Sequence, residues 1–433
     1  MTPLRHAAKD TFRSLAIRNF RLFFGGQLVS QVGNWLTLVA QTLLVLKLTD
    51  SGYALGALAA AQFGPVLLFG AFAGLVADRS DKRRLLILVQ SLAMLQSFAL
   101  AALAFMPHPP LLAIYGLALW SGVATAFDNP VRRSFVVEMV PDDHVNNAVS
   151  LNSALMTGSR VVGPALAGLL VTTVGFGWCF LLDAFSYVAV ITALGKMHPA
   201  ELRAAPVTPK GKGQIREGLR YARSIPELWL PLVMMSLIGT LAFNFQTVLP
   251  LFATRDLHGT DVTFTWLMSV VALGSLTGAL ATARRKTIDI AVVSRNAAIF
   301  AGGLLLLTFT PNQPSAFLIG YLVGLGSIMF MTAATSITQL AAHPSMRGRV
   351  LALQAIVFLG STPIGGPIVG AICERWGARY GLAIGGIATL VAAGIGLVTV
   401  RRTERLTPGI VAEPIFEVAE PALLDPMITP KAS

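Results

Sequence analysis

Charged residues are scarce in this sequence and make up 12% of its 433 positions. A soluble globular protein carries roughly 25% charged residues, so the chain has no room for a sizeable soluble domain. Hydrophobic residues make up 54% of the chain, and the mean hydropathy is +0.68. The apolar runs approach or exceed the roughly 18 to 20 residues that a membrane-spanning helix needs. The composition therefore predicts an integral membrane protein in contact with the lipid bilayer.

Cysteine and catalytic motifs are also scarce. The two cysteines, Cys179 and Cys373, lie in or at the end of apolar segments in different halves of the chain, and this placement predicts no disulfide framework. The sequence contains no HExxH, no nucleophile motif and no Walker-type phosphate loop, and its six histidines fall mainly in tails and loops. We therefore expect no enzyme, no metal site and no cofactor, and a membrane-embedded sensor or enzyme is the less favoured alternative.

Acidic residues number 21 against 33 basic ones, which gives a net charge of +12. The basic residues are dispersed through short loops and form no single face, so we expect no nucleic-acid partner. If the N-terminus is cytoplasmic, 28 of the 33 lie on the cytoplasmic side, as the positive-inside rule requires. Both termini are therefore predicted to be cytoplasmic, and the long first apolar run to be a retained span. The remaining basic residues are Lys47, Arg255, Arg375 and Arg379 outside, and Arg160 within the membrane.

Twelve apolar runs predict twelve transmembrane helices. The one long connection, 197–227, separates an N-terminal half, 1–196, from a C-terminal half, 228–400. The tail 401–433 contains several prolines and acids with no apolar period, so we expect it to be disordered. The predicted spans are 22–46, 54–77, 85–106, 110–128, 147–172, 176–196, 228–252, 263–283, 291–310, 315–338, 350–373 and 380–400.

An internal repeat supports the division into halves. The pair Gly163 and Pro164 in the fifth span recurs as Gly366 and Pro367 in the eleventh, 203 positions later. Gly74 in the second span recurs as a glycine 204 positions later in the eighth. The two shifts agree, so the sequence predicts an all-α membrane protein of twelve helices in two pseudo-symmetric halves of six.

Small residues spaced four apart occur in the second, fifth, eighth and eleventh spans. In hydrocarbon such stripes let helix backbones approach closely, so they predict the seam between the halves, although generic helix packing is an alternative. The stripes are Gly70, Gly74 and Asp78; Ser159, Gly163 and Ala167; Gly274, Gly278 and Thr282; and Thr362, Gly366 and Gly370.

In the linker, QIREGLRYARSIPEL predicts an amphipathic helix on the inner leaflet, with either a regulatory role or a passive tethering role.

Polar side chains follow one face of the first span. Unsatisfied amides facing lipid would be costly, so we expect this face to line a central substrate path, with interhelical hydrogen bonding as the alternative. The seventh span carries a comparable row. The substrate-path candidates are Gln31, Asn34, Trp35 and Gln41 of the first span, Trp120 of the fourth, and Thr240, Asn244 and Phe245 of the seventh.

Few charges lie inside the predicted bilayer. Arg160 in the fifth span and Asp183 in the sixth are expensive there and are expected to be functional or paired with each other. Asp128 is placed at the inner end of the fourth span. Asp183 and Asp128 are the candidate carriers of a coupling proton.

The segment GLVADRSDKRR, which begins at Gly74, resembles the loop G-x-x-x-D-[RK]-x-G-[RK]-[RK] of the major facilitator superfamily. Gly74, Asp78 and Arg79 match it, and Lys82 and Arg83 fall at or beside its basic positions, whereas Asp81 replaces a glycine. The resemblance implies a conformational latch of the outward-facing state. In it, Asp78 meets the start of the eleventh helix, and Asp128 pairs with Lys82 or Arg83.

Two further segments resemble the branch of this superfamily that contains siderophore exporters and related drug efflux carriers. They are GSRVVGPALAG around Ser159, Gly163 and Pro164, and FDNPVRRSFVVEMVPDDHVNNAVSLNS. The resemblance implies a monomeric secondary transporter of a bacterial inner membrane that exports small amphipathic molecules by alternating access and proton antiport. It also implies that the second helix packs against the eleventh and the fifth against the eighth. Lysolipid flipping and small-molecule uptake are the alternatives.

Overall fold

The structure is a computed structural model that describes residues 11–203, 214–283 and 288–406. Most of the predicted tail 401–433 lies outside the described residues, as does the side chain of Asp78. The described chain is nearly all helical, and twelve of its helices are long and apolar enough to cross a membrane. The predicted fold class is therefore confirmed.

The membrane-spanning helices are numbered in chain order, and the short helix Gln214–Arg223 between the halves is called the linker helix. The N-terminal half contains α1 Arg18–Thr49, α2 Gly52–Arg79, α3 Lys82–Ala104, α4 Leu111–Glu138, α5 Val145–Thr173 and α6 Phe176–Gly195. The C-terminal half contains α7 Pro226–Asp256, α8 Asp261–Ala283, α9 Ile290–Thr308, α10 Gln313–Ala341, α11 Pro344–Trp376 and α12 Ala378–Leu406.

The fourth span is longer than predicted. Its expected end at 128 rested on the charges and the proline of FDNPVRR, but α4 continues to Glu138. The charges stay inside the helix because Asp128 pairs with Arg132, one turn further along. Asp128 therefore lies ten residues, or roughly 15 Å, from the end of α4, and its predicted place at the inner end of the span is wrong.

The seventh span is broken near its middle. One helical segment ends at Leu241, and the next begins at Phe245. Asn244 lies at the break and donates from Nδ2 to the Thr240 carbonyl at 2.7 Å. The side-chain amide thus replaces part of the backbone hydrogen bonding that the break removes.

The two halves meet along two pairs of helices: α2 packs against α11, and α5 against α8. These are the pairs that the sequence resemblance implies. A Cβ at Gly56 would lie 2.7 Å from the Gly366 carbonyl oxygen, and a Cβ at Gly370 would lie 2.3 Å from the Gly52 carbonyl oxygen. These backbones approach so closely that only glycine fits between them.

The seam closes at one end of the bundle, which we call the far end and which carries the residues between α1 and α2. The opposite end, which carries the linker helix, is called the linker end. Gly74 lies eighteen residues after Gly56, which is five turns of about 3.6 residues and thus the same face of α2. Among the atoms that the structure describes, none of another element lies within 4 Å of a Cβ built at Gly70 or Gly74. Along this face α2 is in contact with α11 at the far end and separates from it towards the linker end.

Two glycines of the predicted stripe in α8 have a different neighbour from the one expected. A Cβ at Gly274 would lie 2.0 Å from the Tyr321 carbonyl oxygen, and one at Gly278 would lie 2.6 Å from the Leu325 carbonyl oxygen. Both neighbours belong to α10, so these glycines pack within the C-terminal half. On the α5–α8 seam the closest approach at a glycine joins Gly168 to Thr265, at 2.0 Å from the hypothetical Cβ to Oγ1.

The linker helix packs against the C-terminal half. Arg349 of α11 pairs with Glu217 at 2.7 Å, and the Tyr221 hydroxyl accepts from the His343 backbone N–H at 3.0 Å. These contacts attach the linker helix to the linker end of α11.

Candidate functional site

A cavity of about 220 Å³ lies inside the N-terminal half. Pockets that enclose a drug-sized ligand measure roughly 300–1,000 Å³, so this one holds water or one group of a larger molecule. Its lining comes from six helices, and most of the lining residues have polar side chains, with amides, hydroxyls and one ion pair. Among the lining residues are Gln31, Asn34, Trp35, Gln41, Gln62, Gln90, Gln96, Asp128, Arg132, Met156 and Tyr187.

The four predicted residues of α1 all line this cavity. Asn34 accepts from the Tyr187 hydroxyl at 2.6 Å, and Gln31 donates to Gln27 at 3.2 Å. Gln41 accepts from Gln62 at 2.9 Å and donates to a backbone carbonyl of α4 at 3.2 Å. The row thus faces the cavity and also forms hydrogen bonds that join α1 to α2, α4 and α6. Its part in a substrate path stays a prediction.

The other four substrate-path candidates do not line the cavity. Asn244 is 4% exposed, and a Cβ on Gly365 of α11 would lie 2.9 Å from its amide nitrogen. Thr240 donates back to its own helix at the Ser236 carbonyl, and the Phe245 ring packs against other aromatic rings of the C-terminal half. Trp120 is 43% exposed on α4 but is not part of the lining. Asn244 lies beside α11, and Phe245 packs against Phe300 of α9, so the polar row of α7 has different surroundings from the row of α1.

Asp128 and Arg132 form the ion pair of the cavity. Asp128 also accepts from Gln90 Nε2 at 2.7 Å, and Arg132 is 7% exposed. The predicted pairing of Asp128 with Lys82 or Arg83 is wrong, because α4 continues beyond Asp128 and presents Glu138 at the loop instead. Lys82 pairs with that residue, with 2.5 Å between Nζ and Oε1.

The remaining latch candidates lie around the same loop. Arg83 donates to the Leu194 and Gly195 carbonyls at the end of α6, at 2.6 and 2.9 Å, and Arg79 is the exposed last residue of α2. Asp81 caps α3 by accepting from the Arg84 N–H at 3.0 Å. Its φ of −62° is open to any residue, so the loop does not need the glycine that the superfamily usually has here.

Asp183 is completely buried and is not part of the cavity lining. Its carboxylate accepts from the Thr37 hydroxyl of α1 at 2.6 Å and from the Ser97 hydroxyl of α3 at 2.8 Å. A Cβ at Gly33 would lie 2.5 Å from its Oδ1. Asp183 therefore joins three helices of the N-terminal half, and the glycine of α1 leaves room for it.

Arg160 does not pair with Asp183, so that predicted pair is wrong. Its guanidinium carbon lies 6.0 Å from the centre of the Trp35 ring, and its side chain is exposed. Met156, one turn earlier on the same face of α5, lines the cavity. Arg160 therefore projects beside the cavity, next to the α1 side chain that forms part of its wall.

The predicted packing motif of α5 holds α1 in place. A Cβ at Gly163 would lie 2.3 Å from the Trp35 Cβ, while Ser159 and Pro164 are buried. The symmetric pair in α11, Gly366 and Pro367, lies at the seam between the halves. Gly366 faces Ala59 of α2, and the Pro367 Cα would lie 2.8 Å from a Cβ at Gly56. The two copies of the repeat thus have different partners.

A polar network joins the halves at the far end. Arg255, at the end of α7, pairs with Asp50 at 3.4 Å and with Glu374 of α11 at 3.3 Å. Glu374 also accepts from the Gly52 backbone N–H at 2.7 Å. Arg375 donates to the Tyr53 hydroxyl at 2.9 Å. We call these residues the far-end network.

The sequence reading missed this network and several cavity residues. Arg132 was assigned to a loop, although its spacing of four from Asp128 is typical of a helical ion pair. Gln90 and Gln96 are amides in the third span and could have been recognised in the same way as those of α1. The far-end network has no comparable signal, because its hydrogen bonds and ion pairs join residues that are between 119 and 322 positions apart.

Together, the twelve helices, the two halves and the polar cavity define an integral membrane transporter of the major facilitator superfamily. The family model for transmembrane secretion effectors matches residues 9–414, and the chain belongs to this family. The predicted resemblance to siderophore exporters and drug efflux carriers is thereby confirmed.

Several curated relatives align with most of the chain. The staphyloferrin A transporter of Staphylococcus aureus (strain NCTC 8325 / PS 47) is 23% identical over 86% of this chain and 93% of its own length. The enterobactin exporter EntS of Shigella boydii serotype 18 is 23% identical over 91% and 95%. The multidrug efflux pump Tap of Mycolicibacterium fortuitum is 26% identical over 81% and 88%. These relatives are transporters, and this chain is accordingly a multi-pass transporter of small molecules.

Solved structures share the fold. A bacterial homologue of the human lysosomal transporter Spinster aligns with a TM-score of 0.66 at 15% identity, over 90% of this chain and 96% of that one. A POT family transporter in complex with 5-aminolevulinic acid aligns with a TM-score of 0.72 at 11% identity, over 89% and 96%.

Proposed function

We propose that this protein exports small amphipathic molecules, drug-like compounds or siderophores, from the cytoplasm of a bacterium across its inner membrane. The efflux carriers and siderophore exporters among its relatives support the direction and the substrate class. The positive-inside distribution supports a cytoplasmic linker end with both termini on that side. We further propose that the protein acts as a monomer.

The observation that carries the proposal is that the seam between the halves is closed at the far end and separates towards the linker end. The halves touch through glycines and the far-end network, whereas a Cβ at Gly74, on the same face of α2, would meet no described atom of another element within 4 Å. With the linker end in the cytoplasm, this is the arrangement of a carrier open to the inside. Rocking of the halves about the seam would close the linker end and open the far end, which is alternating access. Gly74 and the loop from Asp78 to Arg83 would form the latch of that second state.

We propose Asp128 as the residue that carries a coupling proton. It lines the cavity and its charge is balanced by Arg132, so protonation would release Arg132 for a second interaction. Asp183 is enclosed by hydroxyl groups and lies outside the cavity lining, which favours a structural role.

Accumulation in intact bacteria tests both proposals. Cells that express the protein are compared with empty cells for retention of dyes, antibiotics and siderophores, with and without an uncoupler. We expect lower accumulation in expressing cells and loss of the difference with the uncoupler or in Asp128→Asn. Asp142→Asn, at an exposed acid outside the spans, is the matched control. Export that persists without a proton gradient would refute antiport, and higher accumulation in expressing cells would refute export.

A further inference from the structure

Arg160 is a membrane-embedded cation without a carboxylate partner. Among the described residues no acidic side chain forms an ion pair with it. The two acids of the N-terminal membrane core that the structure describes are already engaged, Asp128 by Arg132 and Asp183 by hydroxyl groups. An intramembrane arginine is expensive unless it is hydrated or paired. Its position beside a polar cavity is therefore suited to a ligand that supplies the missing negative charge.

The surroundings of Arg160 do not neutralise it. The Trp35 ring centre is 6.0 Å away, at the limit of about 6 Å for a cation–π interaction. Such a contact orients the guanidinium and leaves its hydrogen-bond donors available. Arg132, the other arginine at this site, is paired with Asp128 and contributes no net charge.

The cavity beside Arg160 also contains unused hydrogen-bond donors. Gln96 Nε2 and Arg132 Nε are buried and have no hydrogen-bond partner in the described structure, against one such acceptor in the lining, Gln90 Oε1. An oxygen-rich ligand group would supply acceptors where donors are in excess. Trp35 has an apolar ring on the same wall, which suits an amphipathic molecule.

We propose that Arg160 and Trp35 form an anion-binding subsite, in which the guanidinium pairs with a carboxylate of the substrate and the indole packs against its apolar part. This inference rests on the proposed transport function and narrows its substrate class from amphipathic molecules in general to those that carry a carboxylate. A planar guanidinium binds a carboxylate through two parallel hydrogen bonds, so the preference depends on Arg160 itself and not on positive charge alone.

Binding to the purified full-length protein in detergent tests the subsite. The probes are methoxycoumarin acetate and its methyl ester, which share a fluorophore and differ in the carboxylate. A charge-assisted hydrogen bond corresponds to about tenfold or more in affinity. We expect the wild type to bind the acetate at least that much more tightly than the ester, Arg160→Ala to lose the preference, and Arg160→Lys to keep part of it.

The matched control is Arg223→Ala. Arg223 lies over the Trp229 ring at 5.0 Å, which is the same arginine–tryptophan arrangement, but it belongs to the linker helix. The Arg223→Ala variant should leave the preference for the acetate over the ester unchanged. Equal wild-type affinity for acetate and ester, or an equal loss of both in Arg160→Ala, would overturn the subsite. Size-exclusion chromatography checks folding, and if Arg160→Ala fails to fold, Arg160→Lys and the wild-type preference still decide.

The two proposals can fail separately. A protein that exports compounds from cells but shows no preference for the acetate would refute the anion subsite and leave export intact. A protein that prefers the acetate but changes no accumulation in cells would refute export and leave the subsite intact.

Discussion

At the scale of single residues, the polar groups of the N-terminal half have two separate tasks. Asp183 joins α1, α3 and α6 through hydroxyl donors and is shielded from the cavity. Arg160 lies beside the cavity without an acidic partner among the described residues. The opposite charges of Arg160 and Asp183 in neighbouring spans predict an ion pair. In the structure, Arg160 lies over the Trp35 ring instead. The first role concerns stability, and the second, in the proposed anion-binding subsite, concerns binding.

This separation gives a test at the residue scale. Asp183→Ala removes the acceptor of two buried hydroxyl groups, and a buried group left without a partner costs about 1–3 kcal/mol. We expect a lower thermal unfolding temperature of the detergent-purified protein. Because Arg160 is not its partner, Arg160→Ala/Asp183→Ala should be no more stable than Asp183→Ala, and Asp142→Asn should match the wild type. A rescue by the double change would show that the two charges pair after all.

At the scale of helices, glycines on one face of α2 have different surroundings at its two ends. Gly56 has no room for a side chain, because its Cβ would lie 2.7 Å from the Gly366 carbonyl oxygen. In the described part of the chain, no atom of another element lies within 4 Å of a Cβ at Gly74, five turns further along the same face. In the proposed cycle, the far end closes in one state and the linker end in the other.

Leucine at these two positions should therefore have different effects. Gly56→Leu overpacks the closed far end, so we expect it to lower the unfolding temperature of the purified protein; overpacking typically costs about 1–3 kcal/mol. Gly74→Leu should leave that temperature unchanged and still reduce export from cells, because it blocks closure of the linker end. Normal export by Gly74→Leu would contradict the proposed latch.

At the scale of the whole molecule, the far-end network connects the two halves at one end. Arg255 bridges Asp50 of the N-terminal half and Glu374 of the C-terminal half. These side chains are partly exposed, and exposed ion pairs contribute about 0.2–1 kcal/mol each. In the proposed cycle, the network would therefore bias the equilibrium between the two conformations without locking it.

Weakening the network should open the far end. We expect Arg255→Ala to raise amide hydrogen exchange at the start of α2 and the end of α11 by about twofold to tenfold. His108→Ala is the control, because His108 lies at the same end, in the turn between α3 and α4, and its side chain is exposed. Unchanged exchange in Arg255→Ala, or an equal rise in the control, would show that the network does not hold the far end closed.

Much of this architecture could be predicted because it depends on properties of short stretches of sequence, namely hydropathy and helical spacing. A bilayer selects apolar runs of sufficient length, so eleven of the twelve spans were located within about six residues of their ends. The amide row of Gln31, Asn34 and Gln41 was recognisable from its helical spacing. The end of α4 was misjudged because Asp128 and Arg132 satisfy each other inside the helix, and a charge pair within a helix resembles a loop in sequence.

The sequence by itself determined the class of the protein, its twelve spans, its two halves and the α1 face that lines the cavity, because hydropathy and helical periodicity act over a few turns. Only the tertiary structure decided which faces meet and which charges pair. Lys82 pairs with Glu138, and Arg255 with Asp50, 205 positions away. Such pairs depend on how whole helices are placed against one another, and that placement results from the packing of all twelve together.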